Sequence, residues 1–376
     1  MRKRVTTLFI AAVALLGTAF AQDLVVTVTF DGGGWFDRSF NEGTWSGLTR
    51  AVQELAGETA VDVLIYNGTA DTTVTALRRI AATRLDLVVA AGFLQADAIN
   101  AVSGEFPDVR FVLIDEVATY RPNVRSVLFK DQEGSYLVGY LAGTMSQTAT
   151  VGFVGGMDVP LIRNFAQGYE LGVRAACPEC RVIVDMVGED FTAWDDPATA
   201  RKLAAAHQQQ GADIIFAAAG ASGMGVIDYV NETRCYRPVG GLRTTPLTEA
   251  VANMAKDPAY VAACAAGTQP LFFIGVDSNQ NYLGDTDGDP ATMNHGLTSM
   301  LKRVDVAAYN AVHDTVKGTF TAGLMELGVA EDGVGYALDD YNRALVPETI
   351  RNVLDTVRET IVSGQVVVPD YRTQNP

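Results

Sequence analysis

The chain has 376 residues with 28 basic and 44 acidic side chains, a formal net charge of −16. That balance makes nucleic acid and anionic membranes poor partners, and says more about solubility than about ligand. The length suits two lobes rather than one core.

Arg2, Lys3 and Arg4 precede an apolar run over residues 5–20, which ends in Ala19-Phe20-Ala21. This pattern is a secretory signal peptide over residues 1–21 with a small-x-small cleavage site, so the mature chain should begin near Gln22. Removing that segment leaves 25 of the 28 basic side chains against 44 acidic ones, a balance of −19. No cysteine stands at the cleavage point. The expectation is an exported protein in a periplasmic or cell-envelope space, not lipid-anchored. No later stretch approaches about 18 consecutive apolar residues, the least that a membrane-spanning helix needs.

The first strand is expected at 24–30, ending in Asp31 and three glycines. Asp37-Arg-Ser-Phe-Asn-Glu-Gly43 follows. Ser39 and Glu42 have the spacing of a capping box, which predicts a helix whose apolar positions recur at Trp45, Leu48, Val52 and Leu55. Strand, glycine turn and capped helix together aim free backbone N–H groups beyond the strand ends. Phe40 is an aromatic in a polar cap. It either staples the helix entry or offers its face to a ligand.

Further strands are expected at 85–91, 109–114, 150–154, 181–187, 212–219 and 270–276, with helical spacing at 74–83 and 198–210. Near-continuous apolar strands alternating with helices indicate parallel sheets covered on both faces. The run at 148–156 restarts the pattern and predicts a crossing into a second lobe. The expected division is 22–148 plus about 277–310 for the first lobe, and 149–276 plus about 311–376 for the second. In open α/β sheets ligands bind outside the carboxyl ends of the strands. Asp31, Gly92, Asp115, Gly155, Gly156, Gly220 and Asp277 all stand there.

The four cysteines are Cys177, Cys180, Cys235 and Cys264. In an exported chain the Cys177–Cys180 pair reads as a structural disulfide rather than a redox or zinc motif. Cys235 and Cys264 flank a segment that looks inserted, and a bridge closing it is the natural pairing.

Catalytic signatures fail on inspection. The segment from Gly220 to Met224 lacks the final glycine of a nucleophile elbow, its glycines stand in the wrong order for a dinucleotide loop, and no Gly-Lys pair supplies a phosphate loop. His207, on a glutamine-rich helix, reads as a surface residue. Asp285, Asp287 and Asp289 alternate like calcium ligands, and a DTD run also resembles nucleoside hydrolases. The twelfth position of a calcium loop would however be Gly296, so a solvated turn is the expectation. No cofactor or metal is called for.

Asp31, Asp115 and Asp277 could each merely cap the following helix. Together in a cleft, carboxylates suit hydroxyl pairs and ring N–H groups. Lys302 could donate to a ligand hydroxyl or pair with one of those aspartates. Phe40, Trp194 and Phe216 are candidates for holding a flat ring, although Phe216 also reads as core.

The segments at 37–43, 152–173, 193–198, 211–226, 275–283 and 299–305 together resemble the basic membrane protein family, the PnrA-like substrate-binding proteins of ABC transporters. The resemblance spans residues 24–340. It implies a type I periplasmic-binding-protein fold, with two doubly wound parallel-sheet lobes, a three-crossing hinge and a ligand cleft between the lobes. It also implies capture of a purine nucleoside of the adenosine, guanosine or inosine class and delivery to membrane permease subunits, with no bond broken. By that resemblance Asp31 meets the purine ring, Phe40 stacks on it and Asn41 adds a polar contact. Asp115 lies at the matching strand end. Trp194 or Phe216 stacks from the other lobe, and Gly220, Ser222, Asp277 and Lys302 hold the ribose. A monomer is expected. A sugar or other small molecule on the same fold, or nucleoside hydrolysis, are the alternative readings. The segments 235–264 and 284–295 look longer than the family pattern.

Overall fold

The computed structural model describes residues 23–374 except 31–33, 68–69 and 84. The signal-peptide reading and Asp31 therefore lie outside the described residues. In chain order, the first half runs β1 (Leu24–Phe30), α1 (Phe40–Leu55), β2 (Val61–Asn67), α2 (Ala70–Ala81), β3 (Leu87–Ala91), α3 (Ala96–Val102), β4 (Arg110–Ile114), β5 (Val124–Phe129) and α4 (Asp131–Met145). It continues with β6 (Thr150–Met157), α5 (Pro160–Ala176), β7 (Arg181–Gly188), α6 (Pro197–Gln209), β8 (Ile214–Ala218) and α7 (Gly223–Thr233). A small addition follows: β9 (Cys235–Tyr236), α8 (Pro246–Asn253), α9 (Pro258–Ala263) and β10 (Gln269–Pro270). The chain closes with β11 (Phe272–Asp277), β12 (Gly296–Lys302), α10 (Val304–Lys317), β13 (Gly323–Leu327), β14 (Val334–Tyr336), α11 (Glu348–Val362) and α12 (Tyr371–Gln374).

Two six-stranded sheets result. The first has the order β13-β5-β4-β3-β1-β2 and is parallel throughout. The second has the order β14-β12-β11-β8-β6-β7, with only β14 antiparallel. Strands such as Leu87–Ala91 and Ile214–Ala218 are buried at every position, as expected where helices cover both faces.

The chain passes between the sheets three times, and the expected boundaries shift. The first crossing is at Lys130, not near 148. α4 follows β5 at once, and packs Leu137, Val138, Leu141 and Met145 into the core beside α5, β12 and β14. Its contact with α5 is close because glycines face backbone. A Cβ on Gly139 would lie 2.2 Å from the Tyr169 carbonyl oxygen, and one on Gly172 would lie 2.1 Å from that of Tyr136. The second crossing is at Arg303. β12 belongs to the second sheet, whereas α10 packs on α1 and β13 joins the first sheet. The third lies between β13 and β14. By sheet membership the first lobe is 23–129 plus 304–327, and the second is 131–302 plus 334–374.

Both expected disulfides are formed, Cys177–Cys180 and Cys235–Cys264. The turn at 285–289 satisfies itself: the Asp285 carboxylate accepts from the backbone of Asp287 and Gly288, and that of Asp287 from Asp289 and Thr292. Among the described residues no three His, Cys, Asp or Glu side chains converge as metal ligands. His207 is not a surface residue. It is fully buried against Gly152, and a ring nitrogen lies 2.8 Å from Asp185 on β7. Burial holds its pKa below the ordinary value, against the pull of Asp185.

Candidate ligand cleft

The carboxyl ends of both sheets face one cavity, open to solvent, with about 600 Å³ of empty space, that solvent included. The first lobe contributes Asp37, Phe40, Asn41, Gly92, Phe93 and Asp115. The second contributes chiefly Phe165, Trp194, Gly220, Asp277 and Lys302.

The start of α1 shows how local chemistry positions the first wall. Ser39 stands at the N-cap position, but its hydroxyl makes no capping bond. The Asp37 carboxylate does that work, accepting from the backbone N–H groups of Ser39, Asn41 and Glu42 at 2.9, 3.0 and 3.0 Å. Burial raises the Asp37 pKa, and those three donors oppose the rise. Glu42 does reach back, but to the N–H of Arg38. Ser39 is released to donate its hydroxyl to Asp277 Oδ2 at 2.6 Å, across the cleft. Ser278 Oγ and Gln280 Nε2 complete the link, donating to the carbonyls of Ser39 and Arg38. Asn41 anchors its amide nitrogen on the Gly34 carbonyl at 2.9 Å. Its Oδ1 is left buried without a donor among the described residues.

Asp115 and Asp277 end β4 and β11 with φ of +74° and +62°. Non-glycine residues rarely adopt that region, and such strain clusters at functional sites. Lys302 ends β12 between them, 2% exposed, with Nζ donating to Asp115 Oδ2 at 2.7 Å and lying 3.2 Å from Asp131 Oδ1. The rings of Phe40, Phe129 and Phe165 surround the ammonium at 5.3–5.4 Å. Burial alone would depress the Lys302 pKa, but Asp115, Asp131 and Asp277 outweigh it and the net shift is upward. Burial pushes Asp277 up to about 7, with Lys302 opposing, and Asp131 up to about 6. The wall thus holds one firm cation, a carboxylate oxygen on Asp115 without a donor among the described residues, and the Asp277 carboxyl, pushed up to about 7.

Trp194 sits in the short 3-10 turn Phe191–Trp194. Gly156 makes room for the indole: a Cβ there would lie 2.4 Å from its Cζ3, whereas one on Gly220 would meet its Cε3 at 3.5 Å, an ordinary contact. Its Nε1–H is buried and unpartnered among the described residues. Ser222 is not on the cavity. Its hydroxyl donates to the Ala193 carbonyl at 2.8 Å and accepts from the Asp196 N–H at 2.6 Å, pinning the turn that carries Trp194. Phe216 is also displaced from the expected set. It is fully buried, 5.3 Å from each of the Phe153 and Tyr169 rings, and is core.

The cavity therefore gathers Phe40, Asn41, Asp115, Trp194, Gly220, Asp277 and Lys302 from the sequence candidates. Sequence reasoning missed Asp37, Phe93, Phe165 and Asp131. Phe93 was findable, since it follows the strand-end Gly92. Asp131 carries no local signal.

Comparison with known proteins follows the same lines. The family model described as "ABC transporter substrate-binding protein PnrA-like" matches residues 24–371. A "CD4+ T-cell-stimulating antigen" of Listeria innocua is 32% identical over 354 residues, 93% of this chain and 89% of the relative. The "ABC transporter nucleoside-binding protein BmpA" of Lactococcus lactis is 28% identical over 352 residues, 92% of this chain and 89% of the relative. Among solved structures, an ABC transporter solute-binding protein from Aeropyrum pernix superimposes with a TM-score of 0.73 at 25% identity, covering 93% of this chain and 96% of that one.

Proposed function

Since this chain belongs to the PnrA-like family of ABC transporter substrate-binding proteins, we propose that its ligand is a purine nucleoside, held by closure of the two lobes and handed intact to the membrane permease. The observation that carries the reading is that Phe40 and Trp194, from opposite lobes, line the same cavity. Two facing aromatic walls favour a flat heterocycle. The printed name of the Lactococcus lactis relative, a nucleoside-binding protein, supports the same class.

In this reading Asn41 Oδ1 accepts from an N–H of the base, and Asp31, which lies outside the described residues, is proposed as a second acceptor for the base. Asp115, Asp277 and Lys302 engage the ribose hydroxyls, an acceptor-rich set with a single cation. Gly220 lines the cavity beside the indole, and Ser222 acts through the Trp194 turn. Ligand contacts to both lobes stabilise the closed state over the open one, which is all that capture requires. The protein works as a monomer outside the cytoplasm, and no bond is broken.

The test is to denature the purified protein and identify co-purified small molecules by mass spectrometry. Calorimetric titration with adenosine, guanosine, inosine and ribose follows. Binding of ribose with no binding of any nucleoside overturns the reading. Release of free base from inosine overturns the non-catalytic part.

A further inference from the structure

Asp131 is fully buried and is the first residue of α4, immediately beyond the first interlobe crossing. Lys302, whose ammonium lies 3.2 Å away, is the last residue of β12, immediately before the second crossing. The contact is an ion pair rather than an aligned hydrogen bond: neither Asp131 oxygen has a hydrogen-bond donor among the described residues. A buried ion pair is weak evidence of a purely stabilising role, since apolar side chains of similar volume commonly replace a whole pair without loss. Its geometric effect is specific. With Asp115 on one side and Asp131 on the other, the ammonium is fixed inside the cage of Phe40, Phe129 and Phe165. Asp115 Oδ1 has no donor among the described residues. The charged groups that act on the ammonium are Asp115 from β4, Asp131 from α4 and Asp277 from β11, while Arg372 from α12 acts on Asp131.

We infer that Asp131 is a positioning residue of the cleft: it holds the Lys302 ammonium from the hinge side, so that Asp115 and Lys302 present an acceptor and a donor together to a ligand hydroxyl pair. The inference rests on the nucleoside reading for the nature of the ligand. The link also couples the site to the hinge, because Asp131 and Lys302 each adjoin a crossing.

The experiment compares Asp131→Asn, Asp131→Glu and Asp131→Leu with the unaltered protein. Two readouts are taken: calorimetric affinity for inosine, guanosine and adenosine, and the titration of the Lys302 ammonium by NMR on lysine labelled at Cε, assigned with Lys302→Met. Asp131→Asn should weaken binding 10- to 100-fold and lower the Lys302 midpoint, and Asp131→Glu should restore part of both. Asp131→Leu should also bind weakly and lower the Lys302 midpoint, and because Asp115 still pairs the buried ammonium its folded fraction remains measurable. Affinity of Asp131→Asn within 2-fold of the original, or an unmoved Lys302 midpoint, overturns the inference. If the unaltered protein binds none of the three nucleosides, the nucleoside reading falls, and the Lys302 titration still decides whether Asp131 holds the ammonium.

Discussion

Ser39 and Asp277 are 238 residues apart in sequence and on different lobes, yet the serine hydroxyl donates to the aspartate at 2.6 Å. The bond ties the start of α1 to the end of β11. Losing it leaves a buried acceptor without its donor, at a cost of about 1–3 kcal/mol. Ser39→Ala is therefore expected to lower stability in urea unfolding by about that amount, without loss of helix content, because Asp37 caps the helix. Asp37→Ala should cost about 1–2 kcal/mol by the loss of that cap. Equal loss of helical signal in both variants would contradict this division of labour.

The pH dependence of stability should carry the mark of Asp277, whose pKa is pushed by burial from an ordinary 3.8 to about 7. The folded state then binds the proton more tightly than the unfolded state. The associated stability is present below about pH 4 and is lost as pH rises through about 7, with a slope approaching about 1.4 kcal/mol per pH unit. Asp131 and Asp213, each pushed by burial to about 6, act with the same sign. His295, pushed by burial down to about 4, acts oppositely. The signature is thus a difference: between pH 5 and 7.5, Asp277→Asn should lose stability less steeply than the unaltered protein. Parallel curves would refute the assignment.

The three aromatic candidates should separate by assay. Phe40→Ala and Trp194→Ala should each weaken nucleosides by about 2 kcal/mol, roughly 30-fold, with adenosine, guanosine and inosine affected alike. Phe216→Ala should instead destabilise the fold by about 3–5 kcal/mol while the folded fraction keeps its affinity. Titration calorimetry and chemical denaturation on the same preparations distinguish the two patterns.

The two disulfides close loops of different size, with sequence separations of 3 and 29 residues. In the chain-entropy picture, replacing Cys235 and Cys264 by serine should cost about 3–4 kcal/mol, and replacing Cys177 and Cys180 about 1–2 kcal/mol. Denaturant midpoints of the two double variants test the order.

The apolar runs that became β1, β3, β6 and β8 announced two parallel sheets, because burial on both faces leaves a continuous rather than an alternating pattern. Strand-end residues such as Asp115, Asp277 and Lys302 were legible for the same reason: parallel sheets put every carboxyl end on one side. The crossings were not. α4 carries apolar residues that either lobe could have covered, and only its glycine contacts with α5 decide. Ser39 was the cap on paper, until a partner on another strand claimed its hydroxyl and Asp37 took over the capping bonds. Trp194 rather than Phe216 reaches the cavity because Gly156 leaves room for the indole, and His207 looked exposed on its glutamine-rich helix because its partner Asp185 stands on β7, not on that helix.

The interleaving of the lobes has a consequence in time. The edge strand β13 of the first sheet comes from residues 323–327, almost 200 residues after β5, its only partner in that sheet. Arg372, close to the end of the chain, donates to the carbonyl of Phe129 beside the first crossing at 3.1 Å. Neither lobe can therefore finish while the chain is still emerging. Non-local pairing of this kind slows folding and leaves a strand edge open in the interim. Maturation is expected to proceed as one late event rather than lobe by lobe, and a fragment ending at residue 317 should remain prone to association even though it contains every cleft residue. A monomeric, nucleoside-binding fragment of that length would show that the strand edge tolerates the wait.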